Sequence, residues 1–420
     1  MAVLVDLPPR PVRSNPTAAS GEDPYDRAPT WLLVTCCLLL VLCVVPWRQK
    51  SYFSGSLDPV VLAKGALGVA ALTIAANAAR RSRRGHAIGT RTIVIAASYL
   101  VASVVGGWAA GSTVPAAVIA VRVAMLVMSI AFLASAFETD RLIASVVGSL
   151  ASVAAVSAVT GVGTLRSGRL EGGLPSLASN EIAFACGVVV LFVMHHAKES
   201  VARVWHLAAG VTGFAVMWLT GSRTTTATFV VAAFVLILQS RVLSVPAFIT
   251  CAAAVPVAAW VALSTPVITE LLFRGGSSNV TTLSSRTIAW QAALSFDGAT
   301  FQKWFGGGLA LKYVPVSGQY WQTQLLDSSW ISALVQVGFV GLALAALWVC
   351  LAFVGAMASP RPWRPLWLAL LVFMVPRSAL ESGLFDASAA FIVFALVSLQ
   401  VEPAAHSPAP AAPDPVRESA

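Results

Sequence analysis

The chain has 420 residues, of which 57% are hydrophobic and only 11% charged, and its mean hydropathy is +0.80. Soluble domains carry about 25% charged residues, so a water-soluble globular fold is excluded for most of the length. The net charge of +9 comes mostly from arginines in short segments beside apolar runs, a pattern that sets membrane orientation and does not call for nucleic acid.

Residues 1–30 are polar, with Asp6, Glu22, Asp23 and Asp26 among arginines, and read as a cytoplasmic tail. No small-residue cleavage site follows the apolar run that begins at Trp31, so that run is expected to stay as an uncleaved first span. A hydrocarbon core of ~30 Å needs about 20 residues of helix. Twelve spans fit the hydropathy: Trp31–Trp47, Val60–Ala79, Thr92–Ala110, Pro115–Phe137, Leu142–Thr160, Ile182–Met194, Val204–Leu219, Thr224–Gln239, Val242–Pro266, Ser329–Ala356, Pro365–Val375 and Gly383–Leu399. The sixth and eleventh look short. The expected fold is all-α and polytopic, with a transmembrane domain over 31–400. A large external loop, about 267–328, joins spans nine and ten, and loops of that size are usually functional. Residues 401–420, rich in Pro and Ala, read as a disordered tail.

The cluster Arg80-Arg81-Ser82-Arg83-Arg84 is the densest basic segment and is expected on the cytoplasmic side, which puts both termini inside. Arg141, Lys198, Arg203, Arg241, Arg361 and Arg364 then fall inside as well. Trp31, Trp47, Trp108, Trp205, Trp218, Trp363 and Trp367 lie near span ends, as an aromatic belt requires. All six cysteines (Cys36, Cys37, Cys43, Cys186, Cys251, Cys350) lie in apolar runs and read as small buried hydrophobes, with neither disulfide nor metal spacing. Lys64, near the outer start of the second span, reads as a snorkelling lysine.

That topology leaves cations on the outer side, where orientation rules give no reason for them. Arg166 and Arg169 lie between spans five and six, and Arg223 opens span eight. Arg274, Arg286, Lys303 and Lys312 lie in the long loop, and Arg377 between the last two spans. Arg122 sits about two turns inside span four, where an arginine costs roughly 2.5–3.5 kcal/mol at the bilayer centre and so faces a cavity or a partner. A convergent set of guanidinium forks suits a diphosphate. Snorkelling or local ion pairing is the plainer alternative, above all for Arg166, Arg274, Lys303 and Lys312.

Gly221-Ser222-Arg223-Thr224, at the outer start of a span, resembles the Ser-Arg motif of the O-antigen ligase and polymerase family. Ser285-Arg286-Thr-Ile-Ala-Trp290 resembles that family's Arg-x3-Trp element, and Trp304-Phe-Gly306-Gly307-Gly308 its Gly-x-Gly segment. Asp327-Ser-Ser-Trp330, followed by an apolar span with Gly338 and Gly341, is similar to its His-Asn or Asp-Asn loop end. Leu174-Pro175-x4-Asn180-Glu181 resembles its Pro-Asn element. Order and sidedness carry the resemblance more than any one motif. It implies a metal-independent, inverting glycan transfer without a cofactor, on the outer face of the cytoplasmic membrane. The donor would be a glycan on undecaprenyl diphosphate, and the acceptor a hydroxyl on a glycan or a lipid-linked molecule. Arg223, Arg286 and Asp327 would be catalytic. Arg122, Arg166, Arg169, Asn180, Trp290, Arg377 and Glu381 would line the substrate site.

One departure stands out. The family's ligases have a histidine at the loop end, where this chain has Asp327; His86, His195, His196, His206 and His406 all fall on the expected cytoplasmic side. Asp327 is either the base that replaces the histidine or a cap of the tenth helix, and the exchange leans toward a polymerase. Glu381 follows Arg377 by four residues, which also fits a structural ion pair. Trp290, Trp304, Trp321 and Trp330 suit either sugar stacking or interfacial anchoring. A twelve-span secondary transporter is the main rival, although no internal repeat or matched pair of broken helices is evident. A polysaccharide flippase is the third reading.

Overall fold

The computed structural model describes residues 29–47, 59–82, 89–196, 203–239, 289–295, 299–316 and 323–402. Eight helices come first: α1 (Thr30–Val44), α2 (Pro59–Arg81), α3 (Arg91–Ala109), α4 (Thr113–Ala136), α5 (Thr139–Thr160), α6 (Ser179–His196), α7 (Arg203–Leu219) and α8 (Arg223–Gln239). A short α9 (Thr300–Phe305) and an antiparallel pair of strands, β1 (Tyr313–Pro315) and β2 (Thr323–Leu325), precede α10 (Ser329–Ala358), α11 (Arg364–Arg377) and α12 (Ala389–Gln400). A helix occupies every expected span except the ninth, Val242–Pro266, which lies outside the described residues. Six helices, α2 to α6 and α10, are long and apolar enough to cross a bilayer, and the chain is membrane-embedded on that ground. α1, α8, α12 and Val204–Leu219 are apolar but shorter.

α12 is hydrophobic all round, and Ala390 to Leu399 are buried without a break, so it stands inside the bundle as a post. α11 is buried almost as fully. α2 is peripheral: it packs on α1 and α4 and buries only small residues, Gly68, Ala71, Ala75 and Ala78. Trp31, Trp108, Trp205 and Trp218 are exposed near helix ends, as a belt requires, but Trp367 is buried and stacks on Trp363 at 5.4 Å. It belongs to the core because α11 is internal. Cys36, Cys37, Cys43 and Cys186 are buried, whereas Cys350 is exposed on α10. Hydroxyls inside helices, such as Ser129 and Ser149, bond the carbonyl one turn back, which satisfies them within the bundle.

The bundle has two distinct ends. At one, here the loop end, α1, α3, α5, α7 and α11 stop and α2, α4, α6, α8, α10 and α12 start; the segments between them meet there. Ser176 N–H donates to the Pro46 carbonyl (3.1 Å), Leu170 N–H to Leu219 (3.0 Å) and Ser329 N–H to Ser378 (2.9 Å). At the opposite end Glu402 meets Arg91, Thr139 meets Gln400, and His196 meets Asp140.

α10 is broken near the loop end, where Gly338 has φ 73° and ψ −166°. A break opens backbone carbonyls that hydrocarbon cannot solvate. Here Gly307 N–H donates to Val335 O (3.0 Å) and Gly308 N–H to Gln336 O (2.8 Å), so the glycine run after α9 fills the gap. A side chain on Gly306 would strike the Gln336 backbone, and one on Gly338 the Trp304 backbone. Gln336 Nε2 donates to Leu311 O (2.9 Å), and Ser112 Oγ to Gly307 O (2.9 Å), tying the same run to α10 and the α3–α4 turn.

Candidate functional site

The site grows from the start of α6. Residues 161–178 reach it as a tightly bonded loop: Thr160 Oγ1 accepts from Leu174 N–H (2.8 Å), and Ser157 Oγ donates to Pro175 O (2.7 Å). Ala178 N–H donates to Glu181 Oε2 at 2.9 Å, which is the carboxylate half of a capping box and extends α6 three residues beyond the expected Ile182. Ser179, Asn180 and Glu181 are thereby held at the loop end.

Arg377, on the last turn of α11, is the centre of the cluster. It is buried, and its guanidinium lies 5.0 Å from the Phe184 ring centroid. Its Nη2 donates to the Asn180 carbonyl at 3.0 Å, and its Nε to Thr225 Oγ1 at 3.3 Å. Asn180 in turn donates its side-chain amide to Glu381 Oε1 at 2.6 Å. Ser222 Oγ donates to Thr225 Oγ1 at 2.8 Å, so the Gly221-Ser222-Arg223 segment is fixed to the same centre. Arg169 joins through Ser179 Oγ (2.5 Å) and pairs with Glu171 (3.2 Å). Ser329 Oγ and N–H both donate to the Glu381 carbonyl, which brings in the start of α10.

The expected site residues therefore divide. Asn180, Arg169, Arg377 and Glu381 are joined by hydrogen bonds. Arg223 is the first residue of α8, two positions before Thr225; its side chain is exposed, with no hydrogen bond or ion pair among the described residues. Arg166 is exposed on a single 3-10 turn, Val162–Ser167. Asp327 is half-buried just before α10, but the helix is capped by Ser328, whose Oγ accepts from Ile331 N–H, so the capping role expected as one alternative for Asp327 falls to its neighbour. Arg286, Arg274 and Trp321 lie outside the described residues. Trp290 is half-buried, with its indole N–H enclosed and without a hydrogen-bond partner among the described residues. Trp330 donates to Ser378 Oγ (3.0 Å) and packs on Phe385, which commits it to structure, while Trp304 is exposed against Phe339.

A second group lies beside this one. Lys312 pairs with Asp386, just before α12. Burial works against the Asp386 charge, yet Lys312 and the Ala387 N–H hold its carboxyl below the usual carboxylate range. Arg122 donates to the Cys43 carbonyl at the end of α1 and is within electrostatic range of Asp386 and Lys64. Arg122 is thus where the sequence put it, half-buried against a partner, although that partner is backbone. Sequence reasoning passed over Asp386 and quoted Glu181 only as part of the Pro-Asn element. The available signal for Asp386 was a lone carboxylate inside an apolar run.

Compared with protein-family models and with curated proteins, the chain matches none. Among the described residues no three His, Cys, Asp or Glu side chains stand close enough to share a metal ion. His195 and His196 pack on Trp363 at the opposite end. A cavity of about 550 Å³, mostly apolar, opens between the α3–α4 turn, α9 and the first half of α10. Pro115, Leu294, Leu311 and Phe339 line it, with Ser112, Gln302 and Lys303 as its polar side chains.

Proposed function

We propose that the chain is a membrane glycosyltransferase of the O-antigen ligase and polymerase type. It would move glycan from an undecaprenyl diphosphate carrier to an acceptor hydroxyl at the outer face of the cytoplasmic membrane. One observation carries the reading: three separated segments that bear the motif resemblance, around Asn180, Ser222 and Ser329, are hydrogen-bonded through Arg377 and Glu381 into one polar centre at one end of the bundle. The glycine run 306–308 and Gly338, two further motif positions, pack on each other's flanking backbone where α10 breaks.

In this reading the exposed Arg223, together with Arg286, stabilises the departing lipid diphosphate. Fixed cations aimed at developing charge are the main electrostatic means of doing so. Asp327 takes the acceptor proton. Asn180 and Arg377 hold Glu381 and the start of α8 in place, while Arg122, Arg166, Arg169 and Trp290 border the substrate. Twelve spans, both termini inside and an external loop over 267–328 complete the topology. No metal takes part, because the described histidines lie at the other end of the bundle and the reaction needs only cations and one base.

The test is the purified full-length chain in nanodiscs with an undecaprenyl diphosphate-linked oligosaccharide and acceptor, followed by mass spectrometry of lipid and glycan. Transfer that survives a strong chelator is expected. Arg223→Ala should lower the rate on the order of 10²–10³-fold, and Arg223→Lys should restore little of it, since an ammonium lacks the bidentate fork. Absence of transfer by wild-type protein, beside uptake of a labelled solute into proteoliposomes, would turn the reading to a transporter. Cysteine at Ser317 should react with an impermeant thiol reagent in whole cells and cysteine at Arg83 should not; the reverse pattern would invert the topology.

A further inference from the structure

After its break, α10 presents one face outward. Phe339, Ala343, Leu347, Cys350, Val354 and Met357 are exposed, and they recur every three or four residues, the spacing of a single helix face. In a membrane-embedded helix that face meets lipid. From Phe339 to Met357 it runs about 27 Å at 1.5 Å per residue, close to the ~30 Å of a hydrocarbon core. Before the break the pattern stops, and no residue of 329–338 is exposed. Phe339 therefore stands at the loop-end boundary of the hydrocarbon, and the first part of α10 rises above it.

α9 lies at that boundary. Trp304 meets Phe339 edge to face with ring centroids 6.0 Å apart. The Phe305 carbonyl rests on Gly106, where a side chain would strike it, and Trp108, two residues on, is exposed. Phe301, Trp304 and Phe305 fall on one side of α9, at i, i+3 and i+4, with Gln302 and Lys303 on the other. Phe301 stacks on Phe305 at 4.8 Å, yet Phe301 and Trp304 remain 44% and 54% exposed. A helix of six residues does not hold itself together. α10 and α3 support one side of it, and its aromatic side needs a second support. Aromatic rings on one face and a lysine on the other are the composition of helices that lie in the plane of a membrane interface.

We propose that α9 is an interfacial anchor, which sets Phe301 and Trp304 among the phospholipids of the bilayer at the boundary between hydrocarbon and headgroups. The partner is the bilayer itself, because the aromatic face adjoins the lipid-facing stripe of α10 at the end of its hydrocarbon length. The anchor also has a structural task. The glycine run that follows α9 donates its N–H groups to Val335 O and Gln336 O, so the bilayer holds in place the segment that fills the α10 break. The proposal goes beyond the transferase reading and does not depend on it.

The experiment uses the full-length chain in nanodiscs of phosphatidylcholine and phosphatidylglycerol and takes two readings. In the first, wild type and Trp304→Phe are compared by tryptophan fluorescence in brominated phosphatidylcholine, with bromine near the carbonyl end or near the methyl end of the acyl chain. The difference between the two proteins isolates Trp304. Its emission should be quenched by bromine, and more strongly by bromine at the carbonyl end. Quenching of Trp304 by aqueous iodide in place of bromine overturns the proposal, and so does quenching by neither. In the second reading, chains whose native cysteines are replaced carry a nitroxide at Phe301→Cys, at Lys303→Cys or at a restored Cys350. The ratio of oxygen to nickel-chelate accessibility should be highest at Cys350, intermediate at Phe301→Cys and lowest at Lys303→Cys. A ratio at Phe301→Cys no higher than at Lys303→Cys places α9 in water. Low accessibility to both reagents at Phe301→Cys, with dipolar broadening between copies, places a second copy on the face; either result overturns the proposal. If the cysteine-replaced chain fails to fold, the quenching of the chain with its native cysteines still decides.

Discussion

At the end of the bundle opposite the loops, charges finish helices. Glu402 is almost fully buried and accepts from the Arg91 N–H (2.5 Å) and the Thr92 N–H (3.1 Å), so it caps α3 from 310 residues away. Thr90, the residue at the start of α3, makes no side-chain cap of its own. Arg141 pairs with Glu138, and His196 with Asp140. Each of these groups solves a local problem of backbone or solvation. The loop end differs. Arg377 and Asn180 are tied down by hydrogen bonds, but Arg223 and Arg166 are exposed. Charge gathered beyond what the fold uses is the physical mark of a place where something else binds.

That contrast separates residues by what they should lose. The largest stability effect is expected from Arg377→Ala, which strips partners from Asn180 and Thr225 and removes a cation beside Glu381 and Glu181. Removing one member of a buried charged network costs on the order of 3–5 kcal/mol. The protein should therefore be scarce in a membrane-fraction immunoblot, whereas Arg223→Ala should be present at the wild-type level. Normal levels of Arg377→Ala would move that arginine from the structural group to the functional one.

Gly338→Ala comes next. Left-handed backbone and overpacking against Trp304 together cost roughly 2–5 kcal/mol, read as a lower melting temperature in detergent. An unchanged melting curve would mean that α10 is continuous in the native protein. Glu402→Gln tests the opposite end. Loss of a charge-assisted cap there should cost about 1–2 kcal/mol and leave ligand binding and transfer at the loop end unchanged; altered transfer would show the two ends to be coupled.

The smallest effect concerns pH. The Asp386 carboxyl is held below its ordinary range, so its pairing with Lys312 stabilises the fold fully above the unfolded carboxylate value of about 3.9 and is lost as pH falls through the lower folded value. Between neutral pH and about 5, wild type and Asp386→Asn should differ by a constant amount. The gap should close only in the acid range; a gap that closes above pH 6 would assign it to another group.

Much of the architecture was legible from hydropathy. A helix lies at each expected span among the described residues, because a run of some 20 apolar residues has few alternatives to helix when water is absent. The convergence of Asn180, Ser222 and Arg377 was only partly legible, through motif order and sidedness. The inward turn of Trp367 was not, since a tryptophan at a span end reads the same whether its helix is central or peripheral. The cap at Ser328 was hidden for a similar reason: Asp327 and Ser328 are both good caps, and only backbone angles choose between them. Composition by itself determined that the chain is helical and membrane-embedded, because burying backbone in hydrocarbon is a demand each segment meets alone. Which arginine is bonded at the core of the network and which stands exposed at its rim were decided by helix packing, since burial and pairing are relations between segments that no single segment encodes.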